Sequence, residues 1–141
     1  MKTILRLFFL LMLTISCSKD NVTKNNNPYI PNYAVNFTID LNLPMYDNLK
    51  YPSNGLLIND ANVGASGVIV FNTGTGYTAF DATCPNQSFT DCSKMYVKGI
   101  MAVCPCDSKE YDLFTGTSSG MKYPLKAYRV EVNANIIRVY N

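Results

Sequence analysis

Five cysteines and no histidine stand among the 141 residues. Four of them, Cys84, Cys92, Cys104 and Cys106, share one stretch of chain, with gaps of seven, eleven and one residues between them. Sulfur in this arrangement admits three chemistries: disulfide cross-linking, thiolate ligation of iron or zinc, and thiol–disulfide exchange. The gaps are unlike the closely paired cysteines of zinc modules. Exchange needs an exposed thiolate of low pKa, and no basic residue adjoins Cys104-Pro105-Cys106, although Lys109 is near. The lack of histidine removes Ser-His-Asp and Cys-His catalysis and every His-containing zinc site. No Gly-x-Ser-x-Gly segment is present, and Asp107 with Asp112 reads as a solvated loop. The residues therefore point away from an enzyme.

The fifth cysteine belongs to a different pattern. Lys2 and Arg6 precede an apolar run from Leu7 to Leu13, followed by small residues and Cys17. That is the layout of a secretory signal, too short to span a bilayer as a mature helix. Leu13-Thr14-Ile15-Ser16-Cys17 resembles a bacterial lipobox, with Thr14 where leucine is usual. The expectation is a signal peptide over residues 1–16 and a lipidated Cys17 that anchors the protein in a membrane of the bacterial cell envelope, on the periplasmic or the surface side of the outer membrane. Setting Cys17 aside leaves four cysteines, an even number suited to an oxidising compartment. Residues 17–33 are polar and Asn-rich and read as a flexible tether. The folded domain is expected over residues 34–141.

Without Lys2 and Arg6 the chain has ten basic and ten acidic side chains, and it has no basic run. It offers no electrostatic reason to bind nucleic acid.

The elements that must position the cysteines read as strands. Ten tyrosines favour half-buried β surfaces. Val35 to Leu43 alternates apolar and polar residues, the period of a half-buried strand. Leu56-Leu57-Ile58 is a short second candidate. Gly67–Phe71 and Tyr77–Phe80 flank Asn72-Thr73-Gly74-Thr75-Gly76 as a hairpin. Tyr128–Val132 and Ile136–Tyr140 flank Asn133-Ala134-Asn135 as another, with asparagine tolerating the left-handed backbone of the turn. No window makes a convincing amphipathic helix. The predicted fold is all-β, a small antiparallel sandwich or barrel with cysteine-bearing loops between Asp81 and Met121.

Those loops resemble the cluster-binding loops of Rieske iron–sulfur domains. In that family each of two loops supplies a Cys and a His to one [2Fe–2S] cluster, the first reading C-x-H and the second C-P-x-H-G with an aromatic and an Asp following. Cys104-Pro105-Cys106-Asp107-Ser108-Lys109-Glu110-Tyr111-Asp112 is similar to the second loop, with Asp107 at the His position and Ser108 at the Gly position. Cys84-Pro85-Asn86 is similar to the first, with Asn86 at the His position. Phe114-Thr115-Gly116 resembles the turn after loop two, Tyr123-Pro124-Leu125 the proline loop that covers the cluster, and Ile136–Val139 the closing strand.

The resemblance implies a Rieske-like β domain from which both histidine ligands are missing. Asn86 is a poor iron ligand, and the hard carboxylate of Asp107 does not replace an imidazole electronically. The resemblance therefore implies no cofactor and no metal. It brings the former cluster cysteines, Cys84 and Cys104, close enough to bond, and leaves Cys92 and Cys106 as the pair that corresponds to the loop-bridging disulfide of bc-type Rieske domains. Each bridge closes a loop worth about 3 kcal/mol in the chain-entropy model. The expected role is binding or scaffolding with an unidentified protein partner, with tyrosines at the loop tips, such as Tyr96, Tyr111 and Tyr123, as a contact surface. The alternative is a 2Fe–2S electron-transfer protein that keeps its cluster on unconventional Cys/Asp ligands.

Overall fold

The computed structural model describes residues 27–60 and 63–141. The signal segment, the lipidation site at Cys17 and the tether as far as residue 26 lie outside the described residues. Among the described residues no helix is long and apolar enough to cross a membrane.

Among the described residues nine strands form in chain order: β1 (Asn36–Asp40), β2 (Gly55–Ile58), β3 (Val68–Asn72), β4 (Tyr77–Asp81), β5 (Tyr96–Lys98), β6 (Met101–Val103), β7 (Glu110–Asp112), β8 (Ala127–Asn133) and β9 (Ile136–Tyr140). Six make one antiparallel sheet in the order β1-β9-β8-β4-β3-β2, and β5-β6-β7 make a second. The all-β expectation and the two hairpins hold, with Asn72 opposite Tyr77 and Asn133 opposite Ile136.

β3 is buried along its whole length, and this organises the molecule. Period-2 alternation sends Val68 and Val70 to one face and Ile69 and Phe71 to the other. The first face packs with Ile39, Tyr128, Ile137 and Val139, so the large sheet curls into a half-barrel around it. The second face packs with Phe80, Met95, Ala102, Tyr111 and Leu113 and with the sulfurs of Cys84 and Cys104. The β2-β3-β4 wall thus separates a strand core from a core that carries the cysteine loops.

Three features depart from the sequence reading. The alternation from Val35 to Leu43 yields a strand only as far as Asp40. Leu43 is exposed and precedes a 3-10 turn over Pro44–Lys50, whose Tyr46 and Leu49 enter the first core. Pro44 has no N–H to give a strand ladder and starts a helical turn well. The carbonyl of Leu49 then accepts from Asn72 Nδ2 (2.8 Å) and the Tyr77 hydroxyl (3.0 Å), pinning the turn to the β3–β4 hairpin. Second, the left-handed residue in the β8–β9 turn is Ala134 (φ 51°), not one of its flanking asparagines.

Third, Asn27 to Tyr33, read as tether, packs on the domain. Ile30 is buried, Asn27 Nδ2 donates to the carbonyl of Pro85 (2.7 Å), and Lys126 Nζ donates to that of Pro31 (2.8 Å). Packed chain therefore reaches back to Asn27, ahead of the boundary drawn at residue 34. Its polar composition conceals this, because Ile30 alone gives no apolar period and the bonds at Asn27 and Pro31 leave none in the sequence.

Candidate functional site

Loop one leaves β4 at Asp81. The buried carboxylate of Asp81 accepts from the backbone of Thr83 (2.9 Å) and Ala65 (3.1 Å) and from the hydroxyl of Tyr128 (2.7 Å), which fixes the start of the loop. Cys84 N donates to Ser93 O (2.8 Å) and Met95 N to Ala82 O (2.8 Å), closing its base. A second 3-10 turn, Asp91–Ser93, sits at the outer end, held by reciprocal bonds between Thr90 and Ser93 that satisfy its first N–H groups. Loop two joins β6 to β7 and is tighter: Cys104 N donates to Lys109 O and Ser108 N to Cys104 O, both at 2.9 Å. Ser108 adopts φ 58°. The position where the family carries glycine thus keeps the left-handed backbone that glycine serves, now under a side chain that disfavours it.

The four cysteines are joined as the resemblance implied, Cys84 to Cys104 (Cα–Cα 5.6 Å) and Cys92 to Cys106 (Cα–Cα 5.2 Å). The two bonds differ in setting. Cys84 and Cys104 are each 1% exposed, whereas Cys106 is half-buried and Cys92 exposed. The Sγ atoms of Cys84, Cys104 and Cys106 nevertheless lie within 4.8 Å of one another. Thr90 Oγ1 stands 3.3 Å from Cys92 Sγ and 3.6 Å from Cys106 Sγ, a contact with no signal in the sequence.

Asn86 has a defined task. Its Nδ2 donates to the carbonyl of Tyr123 (2.7 Å) and to the hydroxyl of Tyr111 (2.9 Å), and its Oδ1 accepts from Tyr123 N (2.9 Å). The side chain at the first His position therefore clamps the proline loop to loop one. Leu125 N, donating to Gly116 O (2.8 Å), holds the same loop from its far side. Tyr111, expected among the exposed tyrosines, is instead buried in the second core, because period 2 in the short strand β7 turns it inward. Burial raises the pKa of its hydroxyl, the bond from Asn86 works the other way, and the Asp107 carboxylate raises it further. Tyr96 is exposed and Tyr123 half-buried, its ring edge-on to Tyr29 at 6.0 Å.

Asp107, at the second His position, is exposed, and its Oδ1 accepts from Lys109 N (3.0 Å), a bond local to the loop. A [2Fe–2S] centre of the Rieske kind requires two thiolates on one iron and two imidazoles on the other. Here the two sulfurs are bonded to each other, the amide of Asn86 is committed to Tyr123 and Tyr111, and Asp107 serves its own turn. These donors do not fit the cluster.

No family model matches the chain, and no curated protein matches it. Among solved structures it is similar to the plasma membrane Rieske protein of Synechocystis PCC 6803, at 26% identity over 62% of this chain and 86% of that one (TM-score 0.48). It is also similar to a chain in the complex of reduced oxygenase and oxidized ferredoxin in carbazole 1,9a-dioxygenase, at 24% identity over 63% and 82% of the two chains (TM-score 0.46). A third similarity is to the putative NADH-dependent nitrite reductase small subunit from Mycobacterium tuberculosis, at 16% over 78% and 97% (TM-score 0.45). With its two sheets and its pair of cross-linked cysteine loops that carry no histidine, the chain has a Rieske-like β fold.

Proposed function

We propose that this protein is a lipid-anchored envelope module with a degenerate Rieske-like domain, free of any cluster, that binds or scaffolds a protein partner and catalyses no reaction. The observation that carries the reading is the Asn86 clamp beside the buried Cys84–Cys104 bond: every side chain matching a cluster ligand has another use. The disulfides supply the cross-link between the loops that the metal provides in the family, as small domains with modest cores require.

The anchor rests on the sequence pattern ending at Cys17. It has a geometric consequence. Asn27 is held beside Pro85 in loop one, and the ten residues from Cys17 to Asn27 span at most about 35 Å when fully extended. A lipid on Cys17 would keep the cysteine loops within that distance of the bilayer, so a partner that meets them also lies at the membrane. The proximity of three cysteine sulfurs favours the second reading, a cluster on unconventional ligands, but only after both disulfides are reduced.

Native mass spectrometry of the full exported chain, purified without chelator or reductant, separates the two. Two disulfides and no metal correspond to a mass four hydrogens below the reduced protein plus its lipid. An added mass of two irons and two sulfides overturns the cluster-free reading. An unlipidated cysteine overturns the anchor alone.

A further inference from the structure

We propose that the four cysteines form a thiol–disulfide relay, in which reduction of the exposed Cys92–Cys106 bond is passed to the buried Cys84–Cys104 bond through Cys106. This goes beyond the binding role and rests on that reading in one respect, that the sulfurs are held in disulfides rather than on iron.

Three observations carry it. The bonds are unequally accessible: Cys92 is exposed and Cys106 half-buried, while Cys84 and Cys104 are closed off in the second core. A thiol reductant reaches only the outer bond directly, because exchange requires approach to sulfur. Cys106 Sγ also lies within 4.8 Å of both sulfurs of the inner bond. Once released from Cys92, its side chain regains rotation about its own bonds and needs a shift on the order of 1 Å to reach contact. Finally, the Thr90 hydroxyl lies against both outer sulfurs. There it can donate to a thiolate on either one, which favours the reduced outer pair. A pair of purely structural staples requires neither the third sulfur nor the hydroxyl.

The chemistry balances with one external dithiol. The dithiol attacks the Cys92–Cys106 bond, a mixed disulfide forms and resolves, and the reductant leaves as its own disulfide with Cys92 and Cys106 as thiols. Two electrons have entered the protein. Cys106 then loses its proton and attacks Cys84 Sγ. The Cys84–Cys104 bond breaks, a Cys84–Cys106 bond forms, and Cys104 departs as a thiolate that takes up a proton from solvent. This second step moves no net electrons. Attack on Cys104 instead would close a ring across the single residue Pro105, whose φ is fixed, so Cys84 is the favoured target.

The test treats the full exported protein with one molar equivalent of dithiothreitol. Exchange is quenched in acid, the chain is unfolded and labelled with a maleimide, and the labelled cysteines are located by peptide fragmentation, which cuts readily between Cys104 and Pro105. The relay predicts label on Cys92 and Cys104, with a Cys84–Cys106 link, at a level within about tenfold of the label on Cys106. Label confined to Cys92 and Cys106 overturns it, as does label on Cys84 and Cys104 together while the outer bond stays intact. Cys92→Ala gives a second readout without reductant. Its unpaired thiol should distribute between Cys106 and Cys104, and label on Cys106 alone overturns the relay. Iron in the untreated sample would instead overturn the cluster-free reading, so the two failures are distinguishable.

Discussion

The side chain of Asn86 holds both polar backbone groups of Tyr123, accepting from its N–H at 2.9 Å and donating to its carbonyl at 2.7 Å. This two-point clamp joins segments 37 residues apart, and its third bond, to the Tyr111 hydroxyl, ties it to the second core. It fixes the proline loop against loop one.

Asn86→Ala should therefore loosen the proline loop before it loosens anything else. Two backbone groups of Tyr123 and the hydroxyl of Tyr111 lose their partner, a cost of about 1–3 kcal/mol in urea unfolding. Trypsin should cleave faster after Lys122, which is exposed and adjoins the clamp. A variant with unchanged stability and unchanged cleavage would show that the clamp bears no load.

Ser108→Gly tests the neighbouring loop in the opposite direction. Ser108 holds φ 58°, where a side chain costs about 1–2 kcal/mol relative to glycine. Part of that gain is lost to the greater freedom of glycine in the unfolded chain. The expected net result is a stabilisation of about 0.5 kcal/mol, read as a higher midpoint in urea with unchanged slope. A destabilised variant would mean that the serine hydroxyl makes a compensating contact.

What the sequence revealed follows from which forces leave a local pattern. Val68–Phe71 and the residues facing it across the hairpin announce themselves because apolar burial and turn chemistry are both local. Cys84, Cys104, Asn86 and Asp107 stand out only through the resemblance of the two loop motifs to Rieske loops. Strands β5, β6 and β7 stayed hidden among the loops, since three residues carry no measurable period. Leu41 and Leu43 continue the alternating pattern past the end of the strand at Asp40, because Pro44 starts a 3-10 turn there. The packing of Asn27 to Tyr33 and the approach of Thr90 to two sulfurs depend on partners distant in sequence, and no composition or spacing reports them.

The two disulfides should not contribute equally. Loop closure alone predicts about 3 kcal/mol for each, since the separations of 20 and 14 residues differ little on a logarithmic scale. Cys84 and Cys104, however, fill space in the second core, and their replacement leaves a void. The double variant Cys84→Ala with Cys104→Ala should lose about 1–2 kcal/mol more than Cys92→Ala with Cys106→Ala. Urea unfolding of the two double variants decides it, and equal losses would mean that the core closes around the missing sulfurs.

Alkaline pH probes the other end of loop one. Burial, together with the carboxylate of Asp81 that its hydroxyl contacts, raises the pKa of Tyr128 well above its ordinary 10.0. Above pH 10 the unfolded chain releases this proton while the folded chain retains it, so the folded state binds more protons and stability falls as pH rises. The slope is about 1.4 kcal/mol per pH unit for one such group. Tyr128→Phe removes the bond to Asp81, at a cost of about 1–3 kcal/mol near neutrality, and it removes this titration as well. The stability curves of the two proteins should therefore be separate at pH 8 and converge above pH 10. Parallel curves across that range would show that the Tyr128 proton is not held by the fold, whereas coincident curves would show that Asp81 anchors loop one through its backbone partners at Thr83 and Ala65 without Tyr128.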